Sequence, residues 1–194
     1  MGRGFRTVLL VAAGAALLAC GSALAQQQKE AQPAGGPAAI EEKVPLLGTG
    51  AAAPGFRLTD VLGAKYSYGE EGGRKPLLLV FFSIFCDPCR AGLPVVQQIQ
   101  GKYGDGSVDV AAISLDGEVL KATVAGFAKQ EGYTFRVLID EGGDRQMFRV
   151  ADLYRVTEMP TFYLVDRGGR IAFSRTGQVA EDDLVKAVQT ALKK

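Results

Sequence analysis

The chain alternates between continuous apolar runs and stretches where apolar residues return every three or four positions. Leu77 to Phe82, entered from Lys75-Pro76, is unbroken apolar sequence, as expected of a strand covered on both faces of a central sheet. It leads directly to Cys86. From Cys89 onward Leu93, Val96, Ile99 and Tyr103 recur at helical spacing up to Gly104, so a buried strand turns into a helix at the two cysteines. Val108 to Ser114 forms a second apolar run, and Val119 to Gln130 carries a helical pattern that Gly132 stops. That strand-helix-strand order predicts a parallel crossover. Phe135 to Ile139 reads as an edge strand and Arg145 to Tyr154 as a short helix. Thr161 to Val165 and Arg170 to Ser174 flank Asp166-Arg167-Gly168-Gly169, a turn suited to closing an antiparallel hairpin. Leu184, Val185, Val188 and Leu192 form the stripe of a last helix from about Glu181, with Lys193 and Lys194 at its negative end. The elements add up to an α/β fold, a mixed sheet with helices on both faces.

Ahead of this domain, residues 1 to 25 carry Arg3 and Arg6, an apolar run from Val8 to Leu18 and then small residues, the layout of a secretory leader. The run falls short of the ~20 residues that span a bilayer. Two processing sites stand open. Leu17-Leu18-Ala19-Cys20 resembles a bacterial lipobox, which makes Cys20 a lipidation candidate, and Ala23-Leu24-Ala25 suits ordinary signal peptidase cleavage. Residues 26 to 45 are rich in Gln, Ala, Gly and Pro and predict a flexible tether reaching roughly 25 Å as a coil. Residues 46 to 194 then form the folded domain. The expected location is outside the cytoplasm, in the periplasm, with a membrane anchor if Cys20 is lipidated.

The charge balance, 22 Lys and Arg against 21 Asp and Glu, is interleaved along the chain and offers no basic stripe for nucleic acid. The sequence contains no histidine, which removes imidazole bases and His-containing triads. Catalysis must run on thiols, carboxylates, amines or hydroxyls. Of three cysteines, Cys20 belongs to the leader, so Cys86 and Cys89 are the pair left to the domain.

Cys86-Asp87-Pro88-Cys89 places two thiols at a helix N-terminus, where unpaired N–H groups and the helix dipole favour an anion. For such motifs the first thiol's pKa falls into the range of about 3.5 to 7.5. Cys86 is therefore the expected nucleophile, and Cys89, one turn further on, the thiol that resolves a mixed disulfide. Pro88 suits the first turn, where its missing N–H does no harm. Asp87 pulls both ways: an acid favours the helix start and opposes a thiolate beside it. A tetrahedral zinc site needs four ligands and finds two, so no metal or other cofactor is implied. A purely structural bridge would close too small a loop to stabilise much.

These residues resemble the thioredoxin superfamily, and within it the exported TlpA/ResA-type thiol-disulfide oxidoreductases with a domain of the AhpC/TSA-Redoxin kind. Ala53-Pro54-Gly55-Phe56-Arg57-Leu58, Leu79-Val80-Phe81-Phe82 before Cys86-Asp87-Pro88-Cys89-Arg90-Ala91, and Pro94 inside the helix carry the likeness. It implies a thioredoxin fold with an N-terminal β-hairpin extension. It implies that Met159-Pro160-Thr161 is a cis-proline loop offering backbone to an extended substrate, with Phe85 an apolar wall beside the thiolate. It implies protein disulfides as substrates, apocytochrome c among them, and a membrane electron donor of the thiol-reducing type. Two positions depart from the pattern. Gly92 stands where such helices often carry a glutamate, and Val80 where cytoplasmic thioredoxins bury an aspartate. Either carboxylate would help move protons, and Glu158 is the nearest compensating acid in sequence. Two other readings stay open: a peroxiredoxin-like peroxidase, because Ser83-Ile84-Phe85-Cys86 echoes a peroxidatic Ser/Thr-X-X-Cys, and a redox-inactive tethered module that binds peptides beside Pro160.

Overall fold

A computed structural model describes residues 45–69, 75–141 and 149–193. The leader with Cys20, the linker up to residue 44 and the first part of the expected 145–154 helix lie outside them. Phe56–Asp60 (β1) and Lys65–Tyr68 (β2) pair antiparallel, which is the N-terminal hairpin the resemblance implies. Asp60 closes it, accepting from the Leu62 and Ala64 amides at 2.9 and 2.8 Å, while Gly63 supplies the positive φ of 92° that the turn requires.

Leu77–Phe82 (β3) has all six residues buried. Its apolar side chains have no polar face to turn to water, so the strand belongs in the middle of a sheet. Asp87–Tyr103 (α1) follows, and Asp109–Ser114 (β4) returns parallel to β3 in the register Leu77↔Asp109 to Phe82↔Ser114. The next expected helix starts as a 3-10 turn, Glu118–Leu120, and continues as Lys121–Gln130 (α2). Arg136–Ile139 (β5), Arg149–Leu153 (α3), the antiparallel pair Thr161–Val165 (β6) and Ile171–Thr176 (β7), and Glu181–Leu192 (α4) complete the chain. The sheet order is β2-β1-β5-β4-β3-β6-β7.

The strand expected at an edge, β5, is instead an interior strand, flanked by β4 in parallel and by β1 antiparallel through Thr59↔Ile139 and Asp60↔Leu138. Val137, Leu138 and Ile139 are buried, and the hairpin supplies the cover they need. Arg136 anchors it, pairing with Asp60 at 3.1 Å and lying 5.2 Å over the Tyr66 ring. The edge then passes to short β2, whose Lys65 and Ser67 face solvent, a composition that discourages further pairing.

Alternation along the strands divides the core in two. Leu78, Val80 and Phe82 face one side with the apolar stripes of α1, α2 and α4, represented by Leu93, Val124 and Leu184. Leu77, Leu79 and Phe81 face the other with Tyr154, Tyr163 and the hairpin's Phe56. Each such buried side chain contributes roughly 1.5–3 kcal/mol. Residues 46–54 strap this second face. Gly50 N–H donates to the Ile171 carbonyl, Ile171 N–H to Ala51 and Ala53 N–H to Gly169, all at 2.8–2.9 Å. Among the described residues no helix is long and apolar enough to cross a membrane.

Candidate functional site

β3 ends at Phe82, and the chain crosses Ser83, Ile84 and Phe85 to reach Cys86, the residue that caps α1. Cys86 is extended (φ −97°, ψ 105°), the usual geometry of such a cap, and its sulfur takes the acceptor position that a serine or aspartate oxygen commonly holds. The Cys89 N–H donates to that sulfur at 3.2 Å. Arg90 N–H donates to the Cys86 carbonyl at 3.0 Å, the first bond of the helix ladder. An amide donor and the positive end of a 17-residue helix therefore converge on one sulfur atom.

Cys86 and Cys89 are joined as a disulfide with Cα atoms 5.2 Å apart. The two sulfurs differ in access: Cys86 is half-buried, and Cys89 is 1% exposed within the core cluster that holds Val80, Leu93 and Phe162. An incoming group can reach Cys86, and Cys89 meets only what Cys86 has already bound.

The Met159–Pro160 bond is cis. The Met159 carbonyl lies 3.8 Å from the Cys86 sulfur, so loop and thiol form one site from segments 73 residues apart. The loop is fixed on both sides. Gly177 N–H donates to the Pro160 carbonyl at 2.8 Å, and the Thr161 hydroxyl donates to the Glu158 carbonyl at 2.6 Å. Phe85, the residue before Cys86 in the chain, is 72% exposed. A large apolar ring left in water next to the helix cap suits contact with a partner protein. Asp87 and Pro88 occupy the first turn of α1; Asp87 is almost fully exposed and 4.0 Å from Arg90, an ion pair of little energetic weight.

The two departures take physical form. Val80 is buried on the Cys89 side of the sheet, an apolar residue where a proton carrier could have been. Gly92 is buried, and a Cβ there would stand 3.5 Å from the Phe162 ring and 4.0 Å from Pro160. Glu158 lies on the exposed side of its loop.

The sequence reading did not single out Asp116 or Ser114. Asp116 follows β4 and accepts from Ser83 Oγ at 2.5 Å, Ile84 N–H at 3.0 Å and Ser114 Oγ at 2.7 Å. Ser83 Oγ accepts in turn from Phe85 N–H at 3.1 Å. The serine of the peroxidase-like motif thus spends its only proton on Asp116. The one signal available in sequence was a polar Ser-Leu-Asp-Gly end to an apolar strand.

Comparison with known proteins agrees with this geometry. Residues 48–192 match the Redoxin family. The ResA thiol-disulfide oxidoreductase of Bacillus thuringiensis subsp. konkukian is 31% identical over 144 residues, 74% of this chain and 77% of the relative. That of Geobacillus kaustophilus is 28% identical over 74% of this chain and 78% of its own. Among solved structures, a Chlorobium tepidum protein assigned as the thiol:disulfide interchange protein DsbE superposes with a TM-score of 0.64 at 29% identity, covering 75% of this chain and 99% of its own. The mixed sheet with its flanking helices is the thioredoxin fold these proteins share.

Proposed function

The chain belongs to the Redoxin family and is a thiol-disulfide oxidoreductase, and from that premise we propose that it reduces protein disulfides outside the cytoplasm. Cys86 is the nucleophile. As a thiolate it attacks one sulfur of a partner's disulfide, forming a Cys86-partner mixed disulfide and releasing the partner's other sulfur as a thiolate. Cys89 then loses its proton and attacks the Cys86 sulfur. The Cys86–Cys89 disulfide forms and the partner leaves fully reduced, two electrons richer. A membrane-bound dithiol donor restores the pair by the reverse exchange.

The observation that carries this reading is the Cys89 amide donating to the Cys86 sulfur at 3.2 Å, because an N–H aimed at sulfur stabilises the thiolate more than the thiol. The Met159 carbonyl and Pro160 provide the rim on which an extended partner segment lies, with Phe85 as its apolar neighbour. The leader pattern supports export to the periplasm, and the lipobox-like Leu17-Leu18-Ala19-Cys20 supports a lipid anchor there. Apocytochrome c is the substrate that the TlpA/ResA resemblance favours. Cys89→Ser stalls the reaction at the mixed disulfide, so mass spectrometry of the trapped species identifies the substrates. The reduction potential of the Cys86/Cys89 couple fixes the direction: a strongly reducing value supports a reductase, and a value near the oxidising end replaces it with a disulfide donor.

A further inference from the structure

We propose that Asp116 is a positioning residue for Cys86, its carboxylate acting through Ser83 to hold the loop that presents the sulfur to the amides of α1. The proposal rests on Cys86 being the reacting thiol.

Only Ser83, Ile84 and Phe85 separate a rigid central strand from the helix cap, and their conformation sets where the Cys86 sulfur points. The amides from Ile84 to Cys86 find their partners in Asp116 and Ser83: Ile84 N–H donates to Asp116 Oδ2 at 3.0 Å, Phe85 N–H to Ser83 Oγ at 3.1 Å and Cys86 N–H to the Ser83 carbonyl at 3.2 Å. Ser83 Oγ is itself held by Asp116 Oδ1 at 2.5 Å, so two consecutive amides, those of Ile84 and Phe85, trace back to one carboxylate, and the Cys86 amide closes on the backbone of the residue it holds. That carboxylate is fixed from behind by Ser114 Oγ at 2.7 Å, on the residue paired with Phe82 in the sheet. Hydrogen bonds to a charged acceptor are about twice as strong as neutral ones. Asp116 thus links the ends of two adjacent parallel strands to the cap, across 33 residues of chain.

A carboxylate near a thiol has two opposed effects, which makes the role testable by sign. As a bare negative charge, Asp116 opposes the thiolate, and removing it speeds the reaction of Cys86 with an electrophile. As a clamp, it keeps the sulfur in line with the Cys89 N–H, and removing it slows that reaction. The other charges around the thiol, Asp87 and Arg90 on α1, Glu158 before Pro160, and Glu118 and Lys121 beyond Asp116, are the same in every variant compared.

The test is the iodoacetamide alkylation rate of Cys86 in the fully reduced chain, followed on its own peptide by mass spectrometry across pH, with near-ultraviolet circular dichroism confirming folding. Asp116→Asn and Ser83→Ala each move the midpoint of the alkylation pH profile up by about one unit, which slows alkylation about tenfold at a pH well below the wild-type midpoint. Ser83→Thr keeps the hydroxyl and restores the rate, and the Ser83→Ala, Asp116→Asn double variant is no slower than either single one. Faster alkylation in Asp116→Asn with Ser83→Ala unchanged overturns the proposal and leaves Asp116 a mere charge. Unchanged rates in folded Ser83→Ala also overturn it. A wild-type Cys86 no more reactive than free cysteine defeats instead the thiol-disulfide reading beneath it.

Discussion

The Tyr163 hydroxyl donates to the Tyr154 carbonyl at 2.6 Å and accepts from the Leu47 amide at 3.2 Å. One buried phenol thereby joins β6, the end of α3 and the N-terminal strap. Burial raises its pKa above the usual 10.0, so it serves as a neutral donor over the working range. Tyr163→Phe leaves a buried carbonyl and an amide without this partner, and the expected loss is about 1–3 kcal/mol of unfolding free energy. Urea denaturation of the oxidised protein measures it. Limited proteolysis should cut sooner near Leu47, and an unchanged cleavage rate there would show that the strap is held by other bonds.

Gly92→Ala should stabilise. The helix gains about 0.5–1 kcal/mol when alanine replaces an interior glycine, and the new methyl meets Phe162 and Pro160 at 3.5 and 4.0 Å, ordinary contact distances. For a domain of this size the melting temperature rises by roughly 1–4 °C. A fall in melting temperature would mean the Pro160 loop cannot give even slightly.

Asp140 is buried, and its carboxylate accepts from the Val150 and Ala151 amides at 2.8–3.1 Å. Desolvation pushes its pKa above the ordinary 3.8, partly opposed by those amides. A carboxyl with a raised folded pKa favours the folded state when protonated. Its contribution is fully present below 3.8 and is lost as pH climbs through the raised value. The stability of wild type relative to Asp140→Asn should therefore fall from acid toward neutral pH. Equilibrium unfolding at a series of pH values reads this directly, and a difference that grows with pH refutes it.

Phe85→Ala should leave stability unaltered, because the ring is 72% exposed. It should lower kcat/KM toward a protein disulfide about tenfold while sparing the rate with a small disulfide, since an exposed aromatic contributes only where a partner covers it. Equal losses on both substrates would place Phe85 in the chemistry of the sulfur.

The site and the fold were legible in the sequence to different depths. Cys86, Pro88 and Cys89 lie within four residues of one another, so their chemistry follows from local helix physics alone. The six-residue run from Leu77 could only be a doubly covered strand. The place of β5 was not readable, because Val137 to Ile139 owe their cover to a hairpin some eighty residues earlier in the chain. Asp116 was hidden for the same reason: its partners Ser83 and Ile84 are local in space and distant in sequence. Helix α2 kept its pattern but begins in a 3-10 turn, which periodicity does not resolve from α-helix.

Gly50, Ala51 and Ala53 are sewn to Gly169 and Ile171 at the turn joining β6 to β7, while Pro160 and Cys86 sit at the far end of β6, about 17 Å away along five residues of strand. These stitches thus pin the strap at the end of the strand opposite the sulfur. A visitor to the thiol therefore meets the helix cap and the proline loop at one end of β6, while the stitches of the strap lie at the other.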